Sequence, residues 1–346
     1  MPRPLRELFI EVTDKCLLNC LHCSTSAGLD RQNEIPLSEL KRLVDEGLPL
    51  GLDRFSVSGG EPFIYPDIIP LIKYVKNKML YLTIYTCGII QNGNKLSSLT
   101  DKLLEELSVL KVDRLIFSIH GMSSTHDAVT GTPGSFDLVV ESVKKTITAG
   151  IRIELHFVPM SRNIQDIPKV IKLANDLGIP CISFLRLVPQ GRCATNCDYL
   201  LLDKKQLCEI VEMKYLYEEK YPHLHIRLGS PFNCVHPKVP CSAGDHKILI
   251  SPNGEVFPCE AFKFLRGKRE KTYGSALKDL WEKDKLLNKL RILKHQELKD
   301  CDDCSWSVTC KGGCPGQRML YHGNLEEGRD PLCINSGGPW DGRYTC

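Results

Sequence analysis

Six short runs of β-branched and aromatic residues alternate with amphipathic segments of helical length between residues 5 and 190. This alternation constrains the fold most, because repeated βα units bury their apolar faces as a parallel sheet with helices outside. The predicted strands are Leu8–Val12, Arg54–Ser58, Tyr81–Thr86, Arg114–Ile119, Arg152–Val158 and Cys181–Val188. The predicted helices are Ser38–Glu46, Asp67–Lys76, Asp101–Leu110, Ser135–Ala149 and Gln165–Leu177. The pattern predicts an α/β fold, either doubly wound or a partial barrel.

The length and the net charge of the chain limit which classes of protein it can belong to. The chain has 346 residues, of which 42% are hydrophobic, so two domains with a sizeable buried core are expected. Its 45 basic and 42 acidic side chains give a net charge of +3, which provides no electrostatic case for nucleic-acid binding. The sequence contains no apolar run of about 18 residues for a membrane span and no apolar signal region. We therefore predict a cytoplasmic protein.

The seventeen cysteines favour metal ligation over disulfides, since their number is odd, the chain is long and no export signal is present. Cys16, Cys20 and Cys23 form a CxxxCxxC triplet directly after the first predicted strand. Active groups of parallel sheets gather at this carboxyl edge. Three thiolates can hold three irons of a [4Fe-4S] cube and leave the fourth iron open for a substrate. The triplet alone is also compatible with zinc.

A glycine-rich turn, Ser58-Gly59-Gly60-Glu61-Pro62, follows the second predicted strand. Taken alone, it is an ordinary βα turn in which two glycines expose backbone. Together with the triplet one strand earlier, it makes the chain resemble the radical S-adenosylmethionine (SAM) enzymes over roughly residues 8–190. The resemblance implies a partial (β/α)6 barrel of parallel strands. It also implies reductive cleavage of S-adenosylmethionine to a 5′-deoxyadenosyl radical.

The resemblance further implies which residues contact the cofactor. The turn residues Gly59, Gly60, Glu61 and Pro62 would contact the methionyl amino group, and His22 occupies an aromatic position near the adenine. Ser118 opens Ser118-Ile119-His120-Gly121, which resembles the family's Ser-x-Asp-Gly turn, although a hydroxyl satisfied by nearby backbone is the ordinary alternative. Thr130 stands where relatives carry an arginine for the cofactor's carboxylate, so Arg186 is the candidate for that charge.

A second cysteine pattern occupies the C-terminal third of the chain. Cys241, Gly254 and Cys259 are followed by a CxxCxxxxxCxxxC run and by Cys333. This pattern resembles the SPASM extension of radical SAM enzymes over about residues 234–335, although paired cysteines are also typical of zinc sites. We predict a radical SAM partial TIM-barrel domain over 1–200, a linker and helix over 201–233, and a small cysteine-rich iron–sulfur SPASM domain over 234–346.

The SPASM resemblance implies two auxiliary [4Fe-4S] clusters. The ligands of the distal cluster would be Cys301, Cys304, Cys310 and Cys333. The proximal cluster would take Cys241, Cys259 and Cys314, with Cys234 as fourth ligand or with one iron left open for a substrate sulfur. Glu260 directly follows Cys259 and could be a general base for the substrate proton, or merely a surface carboxylate. Cys193 and Cys197 could form a redox pair, but plain loop cysteines are the simpler interpretation.

These resemblances predict an oxidoreductase with three [4Fe-4S] clusters, S-adenosylmethionine and an external electron donor of the flavodoxin or ferredoxin type. We expect it to modify a ribosomally made peptide or a protein side chain by a thioether or carbon–carbon crosslink, an oxidation or an epimerisation. The alternative is a small-molecule dehydrogenase or a tetrapyrrole-modifying enzyme of the same family. Only fifteen residues precede Cys16, which would suit a separate leader-binding protein, a leader-independent peptide or a small substrate. The intact triplet and turn oppose a scaffold protein with degenerate clusters.

Overall fold

The fold is a large, mostly parallel sheet with helices packed on it. The computed structural model describes residues 3–236, 241–294 and 298–334. Its strands are β1 (Glu7–Glu11), β2 (Arg54–Ser58), β3 (Tyr81–Thr86), β4 (Ile89–Asn92), β5 (Lys95–Ser98), β6 (Arg114–Ser118), β7 (Ile153–Phe157), β8 (Cys181–Phe184), β9 (His225–Leu228), β10 (Lys247–Ile250) and β11 (Val256–Phe257).

The helices follow the strands in the order expected of βα units. They are α1 (Leu37–Gly47), α2 (Ile68–Asn77), α3 (Asp101–Val109), α4 (Ser123–Thr130), α5 (Ser135–Thr148), α6 (Ile167–Asp176), α7 (Arg192–Thr195), α8 (Cys197–Leu200), α9 (Lys204–Lys220), α10 (Leu277–Lys283), α11 (Lys285–Leu293), α12 (Ser307–Cys310) and α13 (Pro315–His322). Short 3-10 turns lie at Leu48–Leu50, Pro62–Ile64, Ile164–Asp166, Ser230–Phe232, Glu260–Leu265 and Lys299–Cys301. None of the helices in these described stretches is long and apolar enough to cross a membrane.

Six strands form the core of the sheet in the order β1-β2-β3-β6-β7-β8, and each pairs in parallel with the next. This arrangement confirms the predicted (β/α)6 partial barrel and the six strand positions. Strand β7 is one residue shorter at each end than predicted, and β8 ends at Phe184 rather than at Val188. Helix α1 turns Leu40, Leu43 and Val44 toward this sheet, and all three are fully buried.

Two features of the barrel were not predicted. A hairpin of β4 and β5 follows β3, and its two turn residues are Gly93 and Asn94, with Gly93 at φ 59°. Glycine followed by asparagine between two strands is a hairpin signal, because glycine adopts the positive φ that the first position of such a turn requires. Helix α4 is the second addition, and it places buried His126 beside the ends of β6 and β7.

The sheet continues beyond the barrel into both later segments of the chain. On one side, β10 pairs in parallel with β1, with Leu8 opposite Ile248, and β11 pairs antiparallel with β10. On the other side, β9 pairs in parallel with β8. The predicted linker over 201–233 thus contributes α9 and β9, while the proposed boundary at 234 stays a prediction.

Candidate active site

The cysteine triplet lies in the loop that leaves the carboxyl end of β1. The three thiols are close enough to influence one another: burial raises the pKa of Cys16 to about 12, and the neighbouring Cys23 adds to this rise. Burial also raises the pKa of Cys20, with further contributions from Cys16 and Cys23. Backbone amides point at two of the sulfurs, with Leu18 N 3.5 Å from Cys16 Sγ and Ala27 N 3.4 Å from Cys23 Sγ.

This donor set fits an iron–sulfur cluster. Cys16 is buried, and Cys20 and Cys23 are partly buried. Thiols gathered in one loop and shielded from water are costly to ionise without a cation, and a cationic iron core with amide donors to the sulfurs supplies that compensation. Within the described ranges, no three Cys, His, Asp or Glu side chains converge tightly enough for a single metal ion. A four-iron cube does not need such convergence, because each cysteine binds a different iron.

The glycine-rich turn after β2 docks directly on the backbone in front of the triplet. Gly60 N donates to Thr13 O at 2.7 Å, and Glu61 N donates to Lys15 O at 2.8 Å. A Cβ on Gly60 would lie 1.8 Å from Lys15 O, and Gly59 has φ 142° with Thr13 O 2.4 Å from its missing Cβ. Glycine is therefore required at both positions, since only a chain without side chains can approach the cysteine loop this closely.

The carboxylate of Glu61 accepts hydrogen bonds from three groups of the protein. Oε1 accepts hydrogen bonds from Phe63 N at 3.0 Å and from Thr86 Oγ1 at 2.7 Å, while Oε2 accepts from Cys87 N at 2.7 Å. Burial raises the pKa of Glu61, although these donors oppose the rise. The carboxylate links the ends of β2 and β3, and buried Pro62 begins the 3-10 turn that follows. The Glu61 carboxylate therefore has a structural role in the turn.

Three histidines adjoin the triplet. The ring of His22 meets the ring of His120 edge-on, with centroids 4.2 Å apart, and His120 stacks over His126 at 6.1 Å. Burial lowers the pKa of His22 and of His126 to about 4. His126 Nδ1 accepts a hydrogen bond from His120 N at 3.1 Å, which requires a neutral ring. Ser118 ends β6 at the same edge of the sheet and is half-buried.

The neutral histidines predict acid sensitivity. Because the pKa of His126 is about 4 in the folded chain and near 6.5 when unfolded, the unfolded state binds the extra proton first as pH falls. We expect the free energy of unfolding to decrease between about pH 6.5 and pH 4, by up to about 3 kcal/mol for this residue. His126→Asn keeps an acceptor near Nδ1 and should flatten the slope, which urea unfolding at pH 7 and pH 5 measures. An unchanged slope would contradict this assignment.

The C-terminal cysteines form two further groups. Cys241, Cys259 and Cys314 lie together, since burial raises the pKa of Cys259 and the charges of Cys241 and Cys314 raise it further. Cys301 and Cys310 each lie near Cys333, which adds to the rise in pKa that burial causes in both; Cys304 also acts on Cys301. These groups have the same membership as the proximal and distal sets named from the sequence, and the assignment of clusters to them is a proposal.

Two family models match this chain. The Radical SAM superfamily model matches residues 10–174, and the model of SPASM, an iron–sulfur cluster-binding domain, matches residues 241–305. This protein is a radical SAM enzyme. It therefore uses S-adenosylmethionine with a SAM-binding [4Fe-4S] cluster, and its SPASM domain carries auxiliary [4Fe-4S] clusters.

Several relatives cover nearly the whole radical SAM enzyme. The AdoMet-dependent heme synthase of Methanosarcina barkeri (strain Fusaro / DSM 804) is 28% identical, over 94% of this chain and 95% of that protein. The PqqA peptide cyclase of Gluconobacter oxydans (strain 621H) is 25% identical, over 96% of this chain and 91% of that protein. Structures of Streptococcus suis SuiB, bound to S-adenosylmethionine or to its precursor peptide SuiA, share the fold with TM-scores of 0.78. They are 20% identical and cover 96% of this chain and 77% or 76% of SuiB.

Arg186 of the radical SAM enzyme contacts the SPASM segment. Its Nη1 lies 2.7 Å from Asp330 Oδ2, 3.1 Å from Pro231 O and 3.7 Å from Cys234 Sγ. The side chains of the ion pair are 3% and 0% exposed. These partners differ from the cofactor carboxylate predicted for Arg186, and that role stays an untested prediction. The position follows from β8 ending early, which leaves Arg186 in the segment beyond the strand.

Cys234 also lies beside this arginine, with Sγ 3.7 Å from Arg186 Nη1. Burial raises its pKa, and the further contributions come from Asp330, Arg186, Cys310 and Cys333. Two of these neighbours belong to the proposed distal set, whereas the sequence assigned Cys234 to the proximal set. Its role as a ligand stays a prediction.

Glu260 lies where the triplet loop meets the SPASM segment. Its Oε2 forms an ion pair with Lys263 Nζ at 2.6 Å and accepts from Ser24 Oγ at 3.4 Å. Gln190 Nε2 donates to Glu260 O at 2.6 Å. Burial opposes ionisation of this carboxyl, but the charge of Lys263 lowers the pKa of Glu260. The side chain remains 38% exposed, so a charged carboxylate is both fixed and accessible.

Lys263 was not singled out from the sequence. It is 2% exposed and donates to Glu11 Oε1 at 2.6 Å and Thr25 Oγ1 at 2.7 Å as well as pairing with Glu260. Burial disfavours the ammonium, yet Glu11 and Glu260 raise the pKa of Lys263. Its spacing of three residues from Glu260 on a helical turn is the signal that could have identified the pair.

Proposed function

We propose that this radical SAM enzyme modifies a ribosomally made peptide or a protein side chain, by oxidation or by a thioether or carbon–carbon crosslink. The observation that carries the proposal is the position of Glu260, an accessible carboxylate between the triplet loop and the Cys259 segment. The names of the PqqA peptide cyclase and of SuiB bound to a precursor peptide support a peptide substrate.

The side chains around Glu260 prepare it to accept a proton. When bound, S-adenosylmethionine and its cluster supply the radical that removes a hydrogen atom from carbon. Cys16, Cys20 and Cys23 would hold that cluster. Lys263 keeps Glu260 ionised, and Gln190 fixes the backbone of Glu260, so the carboxylate can take the proton that an oxidised substrate must release.

We further propose the partners and the location. The radical chemistry needs an electron, which we assign to an external flavodoxin or ferredoxin. A separate leader-binding protein would present the peptide, and the reduced cysteines of the described residues suit a cytoplasmic location. Pull-down of the reconstituted enzyme with each candidate donor or leader-binding protein would test these partners.

The direct test combines the reconstituted enzyme, reductant and S-adenosylmethionine with peptides encoded beside its gene. We expect 5′-deoxyadenosine to form and one peptide to lose about two hydrogens, as read by mass spectrometry, because oxidation and crosslinking both remove two hydrogen atoms. Cofactor cleavage with every peptide unchanged in mass would count against a crosslink or an oxidation. It would favour epimerisation or a small molecule.

The variant Glu260→Gln tests the proposed base. We expect 5′-deoxyadenosine to form as before, while the yield of modified peptide falls about 100-fold, the usual contribution of a general base. Glu326→Gln changes an exposed carboxylate of the same segment, 55% exposed, and should leave the yield unchanged. A full yield from Glu260→Gln would remove Glu260 from the mechanism.

A tetrapyrrole substrate is the second candidate. Its support is the heme synthase relative, which matches at 28% identity over almost the full length of both chains. Incubating the reduced enzyme with an iron porphyrin that carries carboxylate side chains discriminates the two candidates. A S-adenosylmethionine-dependent change in porphyrin mass, with all peptides unchanged, would replace the peptide proposal.

A further inference from the structure

One short segment after β8 clamps the loop that carries the cysteine triplet. Arg192 Nε donates to Cys20 O at 2.9 Å, its Nη1 donates to Ala27 O at 2.6 Å, and its own backbone N donates to Cys23 O at 3.0 Å. Asn196 Nδ2 adds a hydrogen bond to Leu21 O at 3.0 Å. The donors lie about 170 residues from their acceptors in sequence, so this contact is tertiary.

The contact is too close for a side chain at the preceding position. Gly191 has φ 62°, and a Cβ on it would lie 2.5 Å from Ser24 O and 2.6 Å from Cys23 O. The clamped loop also contains Ser26 at φ 56°, a conformation that non-glycine residues adopt only when the surroundings hold them. The loop geometry at Cys20 and Cys23 thus depends on the segment that begins at Gly191.

The clamp brings a permanent positive charge to the sulfurs. Arg192 is partly buried, and a guanidinium stays protonated in proteins. Its guanidinium donates to the backbone carbonyl of Cys20 and to that of Ala27, which places the charge against the loop that carries the three sulfurs. Reduction of an iron–sulfur cluster adds one negative charge, and a fixed cation nearby favours the reduced form.

We propose that Arg192 is a positioning residue of the SAM-binding cluster, which holds the cysteine loop through three carbonyl oxygens and raises the reduction potential of the cluster bound there. The proposal concerns the chain's own loop and requires no peptide. Its outcome is therefore independent of the substrate proposed above.

The test is a redox titration of the reconstituted full chain, followed by electron paramagnetic resonance. The signal that changes when S-adenosylmethionine is added identifies the SAM-binding cluster, and the signals that do not change serve as an internal control. Arg192→Gln removes the charge and keeps hydrogen-bond donors. We expect the ratio of reduced to oxidised SAM-binding cluster at a fixed potential to fall about tenfold, which corresponds to about 59 mV for a one-electron couple.

Two matched variants separate charge from hydrogen bonding. Arg192→Lys keeps the charge and should retain most of the wild-type potential, and Asn196→Ala removes one clamp contact without changing charge and should do the same. An unchanged potential in Arg192→Gln, or an equal fall in Arg192→Lys, would overturn the proposal. If Arg192→Gln instead loses about four irons, retention of those irons by Arg192→Lys supports the proposal, and equal loss from both variants overturns it.

Discussion

Replacing Cys16, Cys20 and Cys23 together with alanine is expected to abolish cleavage of S-adenosylmethionine while leaving roughly eight irons bound per chain. The three thiols lie together in one loop after β1, whereas the two C-terminal groups are built from a different segment. Removing the first group should therefore not disturb the others. Iron and sulfide analysis together with 5′-deoxyadenosine detection measure both expectations.

The matched control removes two cysteines that belong to none of the groups, Cys181 and Cys208. Both are only partly buried, so alanine costs little packing. The control should bind about twelve irons and cleave the cofactor. About four irons in the triplet variant would show that one C-terminal group holds no four-iron cluster. Residual cleavage by the triplet variant would show that the triplet is not the cofactor site.

Asp330→Ala is expected to be the most destabilising single change in the C-terminal segment. Asp330 Oδ2 pairs with Arg186 and also accepts from Cys314 N at 2.9 Å, while Oδ1 accepts from Leu332 N at 3.0 Å. Removing one partner of a buried ion pair costs about 3–5 kcal/mol, because a charge remains in a site of low polarity. The loop that contains Asp330 also positions Cys314 and Cys333. We therefore expect Asp330→Ala to lose iron from the C-terminal groups as well.

Three comparisons isolate the role of this ion pair. Asp330→Asn removes the charge and keeps one of the two acceptor oxygens for a backbone amide, so it should retain more iron than alanine. The double variant Arg186→Met, Asp330→Leu should lose less unfolding free energy than the two single variants summed. Arg6→Ala breaks an exposed ion pair with Asp53 and should cost at most about 1 kcal/mol. Anaerobic urea unfolding measures these variants together with the single variants Arg186→Met and Asp330→Leu, and an additive double variant would mean the pair contributes no coupling.

The sequence was sufficient to predict the barrel because the signals for its strands and helices are local. Each βα unit shows its strand as a short apolar run and its helix as an amphipathic period, so Arg54–Ser58 and Tyr81–Thr86 coincide with β2 and β3 residue for residue. The triplet and the glycine-rich turn are equally local motifs. The register of β1 and β2, with Glu11 opposite Ser58, then brings the two motifs to one edge.

The sequence pattern did not predict contacts between segments that are distant in the chain. Arg186 was predicted to bind the cofactor because it lies near the end of the sixth predicted strand and Thr130 stands where relatives carry an arginine. Its partner in the structure, Asp330, lies 144 residues later and belongs to no motif. Arg192 stood in a loop of unassigned role, and only tertiary structure shows its carbonyl partners. For Lys263, the three-residue spacing from Glu260 was a local signal, but its pairing with Glu11 of a distant segment was not.

The pairing of β10 with β1 has a consequence for how such chains can be recombined. The first barrel strand is an interior strand of the sheet, with Leu8 opposite Ile248 on one side and Phe55 on the other. Cutting the chain before β10 would remove the strand that pairs with one side of β1. The backbone amides and carbonyls on that side of β1 would then be unpaired, and such an edge is prone to aggregate. The C-terminal segment is therefore not a detachable cassette. An exchange between related enzymes that aims to transplant substrate preference would need to preserve the β1–β10 register at the graft.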